Sequence, residues 1–292
     1  MKFLARCRAG VSLARYSTFG IGGKASLLFE AKTKEDIVEA FLWVKKENLP
    51  WLIVGKGSNC LFADEGFSGL VILNKIDFLQ QEETAWRVGS GYSFASLGKK
   101  TASLGFSGLE YAAGIPGSVG GAIYMNAGAS GQSLSSVVHT VTFVDEEGSI
   151  SILPRDSISF AYRTSSFQCK KGAIVEAVFL LPYEEGALAR QQAFMEKRKA
   201  TQPYQEKSCG CVFRNPPGMS AGMLIEKAGL KGLRVGGAEV STVHANFIIN
   251  KGSATARDVM DLAKQVQEEV YAKEHVVLER ELCLMSDGKR AV

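Results

Sequence analysis

Between residues 105 and 131 the chain reads GFSGLEYAAGIPGSVGGAIYMNAGASG, 27 positions that hold eight glycines, one proline and a single charged side chain, Glu110. A solvated linker carries more charge than this, and a membrane helix carries fewer glycines. Glycine opens backbone conformations that a Cβ closes, and it lets another surface approach the main chain. The segment therefore suits two roles. Its N–H groups can pack against a flat or anionic ligand, or it can form tight turns around a buried strand. The rest of the chain has to choose between them.

A length of 292 residues has room for about two domains with a real core. Hydrophobic residues make up 46% and charged residues 22%, close to the globular average, which excludes global disorder. A formal charge of +4, with no block of five like charges, leaves no footprint for a polyanionic partner such as nucleic acid. The N-terminal MKFLARCRAGVSLARYSTFG breaks each apolar stretch with a basic residue, and no run approaches the ~18 apolar residues of a membrane helix. A cytoplasmic protein is expected. Cysteines 7, 60, 169, 209, 211 and 283 form no C-x-x-C pair and read as free thiols, and histidines 139, 244 and 275 do not cluster, so no metal site is expected.

Thr33 stands three residues before Asp36 as in a capping box, and Ile37, Ala40, Phe41 and Val44 follow at helical spacing. Pro50 closes that helix, and Trp51-Leu52-Ile53-Val54 reads as a buried strand running into Gly55-Lys56-Gly57-Ser58-Asn59. Residues 70–73 form a second apolar run. A further strand-then-glycine unit spans 86–91, and a helical pattern at Phe94, Leu97, Thr101 and Leu104 is closed by Gly105. Residues 137–153 and 173–182 read as strands. Past Pro182 the chain turns charged and helical over 186–200, then breaks at Pro203, Pro216 and Pro217, and a helix is expected over about 255–271. A domain boundary is placed near 183.

A strand followed by GKGSN is a place for phosphate, because consecutive N–H groups there make an anion cradle to which Ser58 and Asn59 can add side chains. It is not a Walker loop, and Cys60 occupies the third glycine of a Rossmann fingerprint. On its own this loop is as well read as an ordinary turn.

Together the segments say more. YSTFGIGGKA (16–25), VGKGSNCLF (54–62) and GLEYAAGIPGSVGGAIYMNAG (108–128) resemble the flavin-binding part of the UDP-N-acetylenolpyruvoylglucosamine reductase family, the FAD enzymes that complete UDP-N-acetylmuramate for bacterial peptidoglycan. The resemblance continues in order through YRTSSF (162–167), RKATQPYQEKSCGCVFRNP (198–216), AGMLIEKAGLKGLRVGGAEVSTVHANFIIN (221–250) and LERELCL (278–284), nearly the whole chain. It implies an α+β fold of the vanillyl-alcohol-oxidase type. Two FAD-binding subdomains would cover 1–75 and 76–183, and a substrate-binding α/β domain 184–292. About 35 residues separate Tyr162 from the RKATQP stretch, which resembles the shorter type without the tyrosine-bearing insertion.

The resemblance implies non-covalent FAD held by Gly55, Lys56, Gly57, Ser58 and Asn59 in one loop and by Gly114, Ile115, Pro116, Gly117, Ser118, Gly120, Gly121, Asn126 and Gly128 in the other, with NADPH as reductant. Hydride addition to the vinyl carbon of an enolpyruvyl group develops negative charge on the carboxylate side, and positioned donors must stabilise it. A proton must then reach the α-carbon. Arg163 matches the family's carboxylate-side arginine, whose planar fork suits that group. Read without the surrounding motifs, Arg163 is better explained as the partner of a surface acid. Glu281 matches the catalytic glutamate and must carry or share a proton to help rather than repel; its plain reading is an exposed strand position.

Cys211 stands where the family most often has a proton-donating serine. A thiol of ordinary pKa ~8.5 is mostly protonated at neutral pH and is a stronger acid than a hydroxyl. Cys209 reads as an ordinary thiol. Arg214 and Asn215 match contacts to the UDP diphosphate and sugar. Thr201 replaces a lysine common in the family, and Lys199 and Lys207 are both candidates to stand in for it. His244 is read as structural. Two other readings remain, a flavoprotein oxidase of the same fold and a catalytically inert sugar-nucleotide sensor. No histidine for covalent flavin lies in 54–62 or 105–131, and Arg163, Cys211 and Glu281 are all chemically competent.

Overall fold

The structure, a computed structural model of the whole chain, describes residues 2–286 and 289–291. It divides into two compact units. The first is made of Met1–Ala9, Leu27–Lys56 and Gly69–Arg198, and the second of Gly10–Ser26, Gly57–Ser68 and Lys199–Val292.

The first unit holds two cores. Helix α1 (Lys34–Lys46) begins at the expected capping box: the Thr33 hydroxyl accepts from the Asp36 amide while the Asp36 carboxylate accepts from the Thr33 amide. Its buried face, Ile37, Ala40, Phe41 and Val44, packs with Phe29, Leu70 and Ile72. Trp51–Val54 runs parallel to Phe67–Asn74, with Trp51 opposite Leu70. They sit in a four-stranded sheet ordered Arg8–Ser12, Lys24–Ala31, Phe67–Asn74, Trp51–Val54.

The second core lies on an antiparallel sheet ordered Ile150–Pro154, Val138–Asp145, Gly172–Leu180, Ala85–Gly89, Leu79–Glu82. Alternation puts Trp86, Val88, Val141, Ala177 and Phe179 on its buried face. Helix α2 (Phe94–Ser103) covers them with Phe94 and Leu97, starts at the Ser93 cap and gives way to Gly105 at φ +83°. The glycine-rich segment holds no buried strand. It forms a 3-10 turn at Glu110–Ala112 and a short helix α3 (Val119–Tyr124), because its glycines take positive φ at 105, 108, 114, 117 and 131 and break any extended run. Helix α4 (Ala187–Thr201) follows the sheet.

The second unit has one core. Helices α5 (Ala221–Lys227) and α6 (Ala256–Glu274) bury Ile225, Val259, Leu262, Val266 and Val270 with Phe19, Leu61 and Phe213. α6 starts at a second capping box, Thr255 with Asp258, and ends at His275 in the left-handed region. Cys60–Phe62 pairs parallel with Cys283–Ser286, with Cys60 opposite Cys283. No helix among the described residues is long and apolar enough to cross a membrane.

Candidate active site

In the first unit the two glycine loops meet. A Cβ on Gly55 would lie 2.2 Å from Ser118 Oγ, so only glycine fits there. Ser118 caps α3, its hydroxyl accepting from the Gly121 amide at 3.3 Å. The Val119 and Gly120 amides are already spent on the carbonyls of Tyr92 and Ser90. A longer run of donors is left for an anion in the other loop. Among the described residues, no amide of Lys56, Gly57, Ser58 or Asn59 donates to a protein carbonyl. A run of four unspent N–H groups after a strand fits the phosphates of a dinucleotide. Gly57 cannot be replaced: its φ is +63°, and within the second unit a Cβ would fall 1.8 Å from the Tyr16 carbonyl oxygen. The donor set therefore fits FAD.

Arg163 sits at the tip of a two-residue hairpin between Phe160–Ala161 and Thr164–Ser165, at φ +56°. That conformation is costly for a residue with a long side chain and persists where surroundings over-determine it. The surroundings are the end of the glycine-rich segment. Asn126 Nδ2 donates to the Ala161 carbonyl at 2.9 Å, and Arg163 Nη1 donates to the Gly128 carbonyl at 2.8 Å. Ser165 Oγ and Gln168 Nε2 donate to the Tyr124 carbonyl at 2.7 and 3.0 Å. Three sequence-derived candidates, Asn126, Gly128 and Arg163, thus form one hydrogen-bonded group. The other amide atom of Asn126, Oδ1, accepts from Ser135 N, so this side chain braces the loop.

Sequence reasoning gave no role to Glu110, the one charge in the glycine-rich segment. It is buried, 1% exposed, and accepts from the Gly108 amide, Ser107 Oγ, and Arg190 Nε and Nη2 at 2.6 to 3.0 Å. Burial pushes its carboxyl up, but these bonds outweigh that and hold it below the ordinary range.

In the second unit, Cys211 and Glu281 stand on paired segments. The Glu281 amide donates to the Val212 carbonyl at 2.8 Å, next to Cys211, and the Arg214 amide donates to the Glu279 carbonyl at 2.8 Å. Cys211 is half-buried, whereas Cys209 lies in the core. Gly210, at φ +82°, breaks the strand alternation that would put the two thiols on one face. Burial pushes the Cys209 thiol well up and the Cys283 thiol up to about 12. Arg214 Nε is buried without a hydrogen-bond partner among the described residues, and its Nη1 stands 3.9 Å from the Glu279 carboxylate. Asn215 is exposed, and its Oδ1 accepts from the Ala221 amide.

Thr201, Lys199 and Lys207 are all exposed. The Lys207 stem crosses Gly20, with Cδ 3.1 Å from where a Cβ would stand. His244 Nδ1 accepts from the Asn246 amide, and burial lowers its pKa, in keeping with a structural role. Asn246, which the sequence did not single out, exchanges two bonds with the Phe213 backbone at 2.8 and 2.9 Å and so holds the Cys211 segment.

Comparison with known proteins supplies the family. Residues 25–153 match the model of an FAD binding domain, and residues 202–285 match the C-terminal domain of UDP-N-acetylenolpyruvoylglucosamine reductase. The chain is 50% identical over 283 residues to UDP-N-acetylenolpyruvoylglucosamine reductase of Protochlamydia amoebophila, covering 97% of this chain and 95% of that one. It is 46% identical over 275 residues to the same reductase of Chlamydia trachomatis serovar L2, covering 93% and 94%. The crystal structure of UDP-N-acetylenolpyruvylglucosamine reductase from Thermus caldophilus superposes with a TM-score of 0.81 at 37% identity, covering 94% of this chain and 97% of that chain. The α+β fold with an FAD-binding domain, the FAD cofactor and the oxidoreductase class all follow. The chain belongs to the UDP-N-acetylenolpyruvoylglucosamine reductase family.

Proposed function

We propose that the chain uses NADPH to reduce the enolpyruvyl group of UDP-N-acetylglucosamine enolpyruvate, giving UDP-N-acetylmuramate, with Arg163, Cys211 and Glu281 as its catalytic residues. Non-covalent FAD, when bound, supplies the capacity to pass a hydride from NADPH to the vinyl carbon. Lys56, Gly57, Ser58 and Asn59 offer their amides to its diphosphate, while Gly55 and Ser118 keep the two glycine loops in contact. Arg163, preset at positive φ by the Gly128 and Asn126 bonds, presents its fork to the substrate carboxylate and stabilises the enolate charge. Glu281, carrying a proton, shares that charge, and Cys211 gives its proton to the α-carbon. The unpartnered Arg214 Nε and its neighbour Asn215 take the UDP diphosphate and sugar.

One observation carries this reading: the bond from the Glu281 amide to the Val212 carbonyl at 2.8 Å, which pairs the backbone of the acid with the residue next to the half-buried Cys211. The two cores of the first unit, one drawn mainly from residues 3–76 and the other from residues 86–181, favour two flavin-binding subdomains divided near 75. A reaction that draws on NADPH and a nucleotide sugar suits the cytoplasm. The test is NADPH oxidation by the purified holoprotein with the enolpyruvyl substrate, followed by precipitation. Turnover with all yellow colour released supports the proposal. Turnover of an alcohol instead, or flavin retained in the pellet, favours an oxidase of the same fold, and absence of any turnover favours an inert sensor.

A further inference from the structure

Glu281 lies between an isolated bridge and a strand. Arg280 bridges Phe213, and the strand Cys283–Ser286 begins two residues after Glu281. Its amide is held by Val212, and its carbonyl accepts from Cys283 Sγ at 3.7 Å. A side chain adds a second bond. Asn59 Nδ2 donates to the Glu281 carbonyl at 3.2 Å, and the Asn59 carbonyl accepts from the Cys283 amide at 3.3 Å. Asn59 therefore grips the chain on both sides of Leu282, and all of these residues lie in the second unit. Asn59 is also the last residue of the loop whose unspent amides suit a dinucleotide phosphate.

We propose that Asn59 is a positioning residue for Glu281: its side-chain amide fixes the backbone from which the acid projects, so the loop that seats the cofactor also sets the acid. This rests on the catalytic role of Glu281 proposed above. The bond gives that carbonyl an amide donor, a stronger partner than a thiol. An aspartate at 59 keeps the shape but turns the donor into an acceptor facing a carbonyl. A serine removes the reach. Ordering the loop around an anion orders Asn59, and with it residues 280–283.

The test uses the Asn59→Asp and Asn59→Ser holoproteins, each assayed for flavin content, with two readouts. Hydrogen exchange is followed on a peptide covering 278–286. The Glu281 and Cys283 amides should exchange about tenfold faster in both variants and in the wild-type apoprotein, as expected when one local bond is lost. Reoxidation of the bound flavin by the enolpyruvyl substrate should slow by about 10- to 100-fold, the cost of a misplaced catalytic group. Against a Glu281→Gln background the same Asn59 change should cost less than about twofold, because it acts through a group already disabled.

Unchanged exchange over 278–286 overturns the proposal. So does a full, independent loss in the Glu281→Gln background, which would mean that Asn59 serves flavin binding alone. Glu281→Gln at wild-type speed would instead strike down the catalytic role of Glu281, and the exchange measurement would still decide the positioning.

Discussion

Gly55 and Ser118 approach so closely that no other residue fits at 55: an ideal Cβ there stands 2.2 Å from Ser118 Oγ. Gly55→Ala should destabilise the protein by about 1–3 kcal/mol, as overpacking does. It should also lower the fraction of protein that retains flavin. Gly121→Ala is the comparison. Its Cβ would meet Ser118 Oγ at 3.4 Å, an ordinary contact inside α3, so stability should hold or rise by up to about 1 kcal/mol. Urea midpoints and flavin absorbance check both, and equal stability loss in the two variants would contradict the close approach.

The carboxylate side of the reaction is separable from the rest. Arg163→Lys keeps charge but loses the fork, and Glu281→Gln keeps shape but loses the acid. Each should slow flavin reoxidation by substrate by about 10²- to 10³-fold and leave flavin reduction by NADPH nearly unchanged. Stopped-flow absorbance resolves the two half-reactions. Equal slowing of both would point to a folding or flavin-binding role.

Proton delivery by Cys211 predicts a graded series. Cys211→Ser should retain substantial activity, and Cys211→Ala should lose about 10²- to 10⁴-fold. With deuterated NADPH, the Ala variant should return substrate labelled at the vinyl carbon. Cys209→Ala, a change in the core, should turn over near the wild-type rate. Peroxide should inactivate the wild type and spare Cys211→Ser. Normal turnover by Cys211→Ala with failure of Cys209→Ala would move the donor to position 209.

Glu110 predicts a pH dependence of stability. Its folded carboxyl sits below the ordinary value of about 4.3, because the bonds from Gly108, Arg190 and Ser107 outweigh the upward push of burial. A carboxyl depressed on folding contributes in full above its unfolded pKa and loses that contribution as pH falls through the lower folded value. Wild-type stability should therefore drop as pH is lowered below about 4.3, and Glu110→Gln should flatten that drop while weakening the protein at pH 7. Urea unfolding at several pH values reads both. A slope unchanged in the variant would remove Glu110 from the account.

Local signals carried much of the fold. Thr33 and Asp36 announced α1, and the run from Trp51 to Val54 announced a buried strand, because capping and apolar periodicity act over a few residues. Helix α3 escaped because Val119–Tyr124 holds two glycines and makes less than two turns, too short for a 3.6-residue period to show. The strand Lys24–Ala31 and helix α5 were also not read from sequence. At the site, the motifs named Arg163, Cys211 and Glu281. The residues that hold the Glu281 and Cys211 segments, Asn59 and Asn246, act through side-chain bonds to backbone distant in sequence, which no local pattern encodes.

The second compact unit is assembled from three stretches of chain, 10–26, 57–68 and 199–292. During synthesis Phe19, Ile21 and Leu61 leave the ribosome long before α5 and α6, the helices they pack with, have been made. These apolar side chains must wait for the last third of the chain, so this unit closes late and through contacts of long sequence separation, the slow and aggregation-exposed route. No single proteolytic cut can release it intact, and a chain truncated before α6 is left with a core that has nothing to close on.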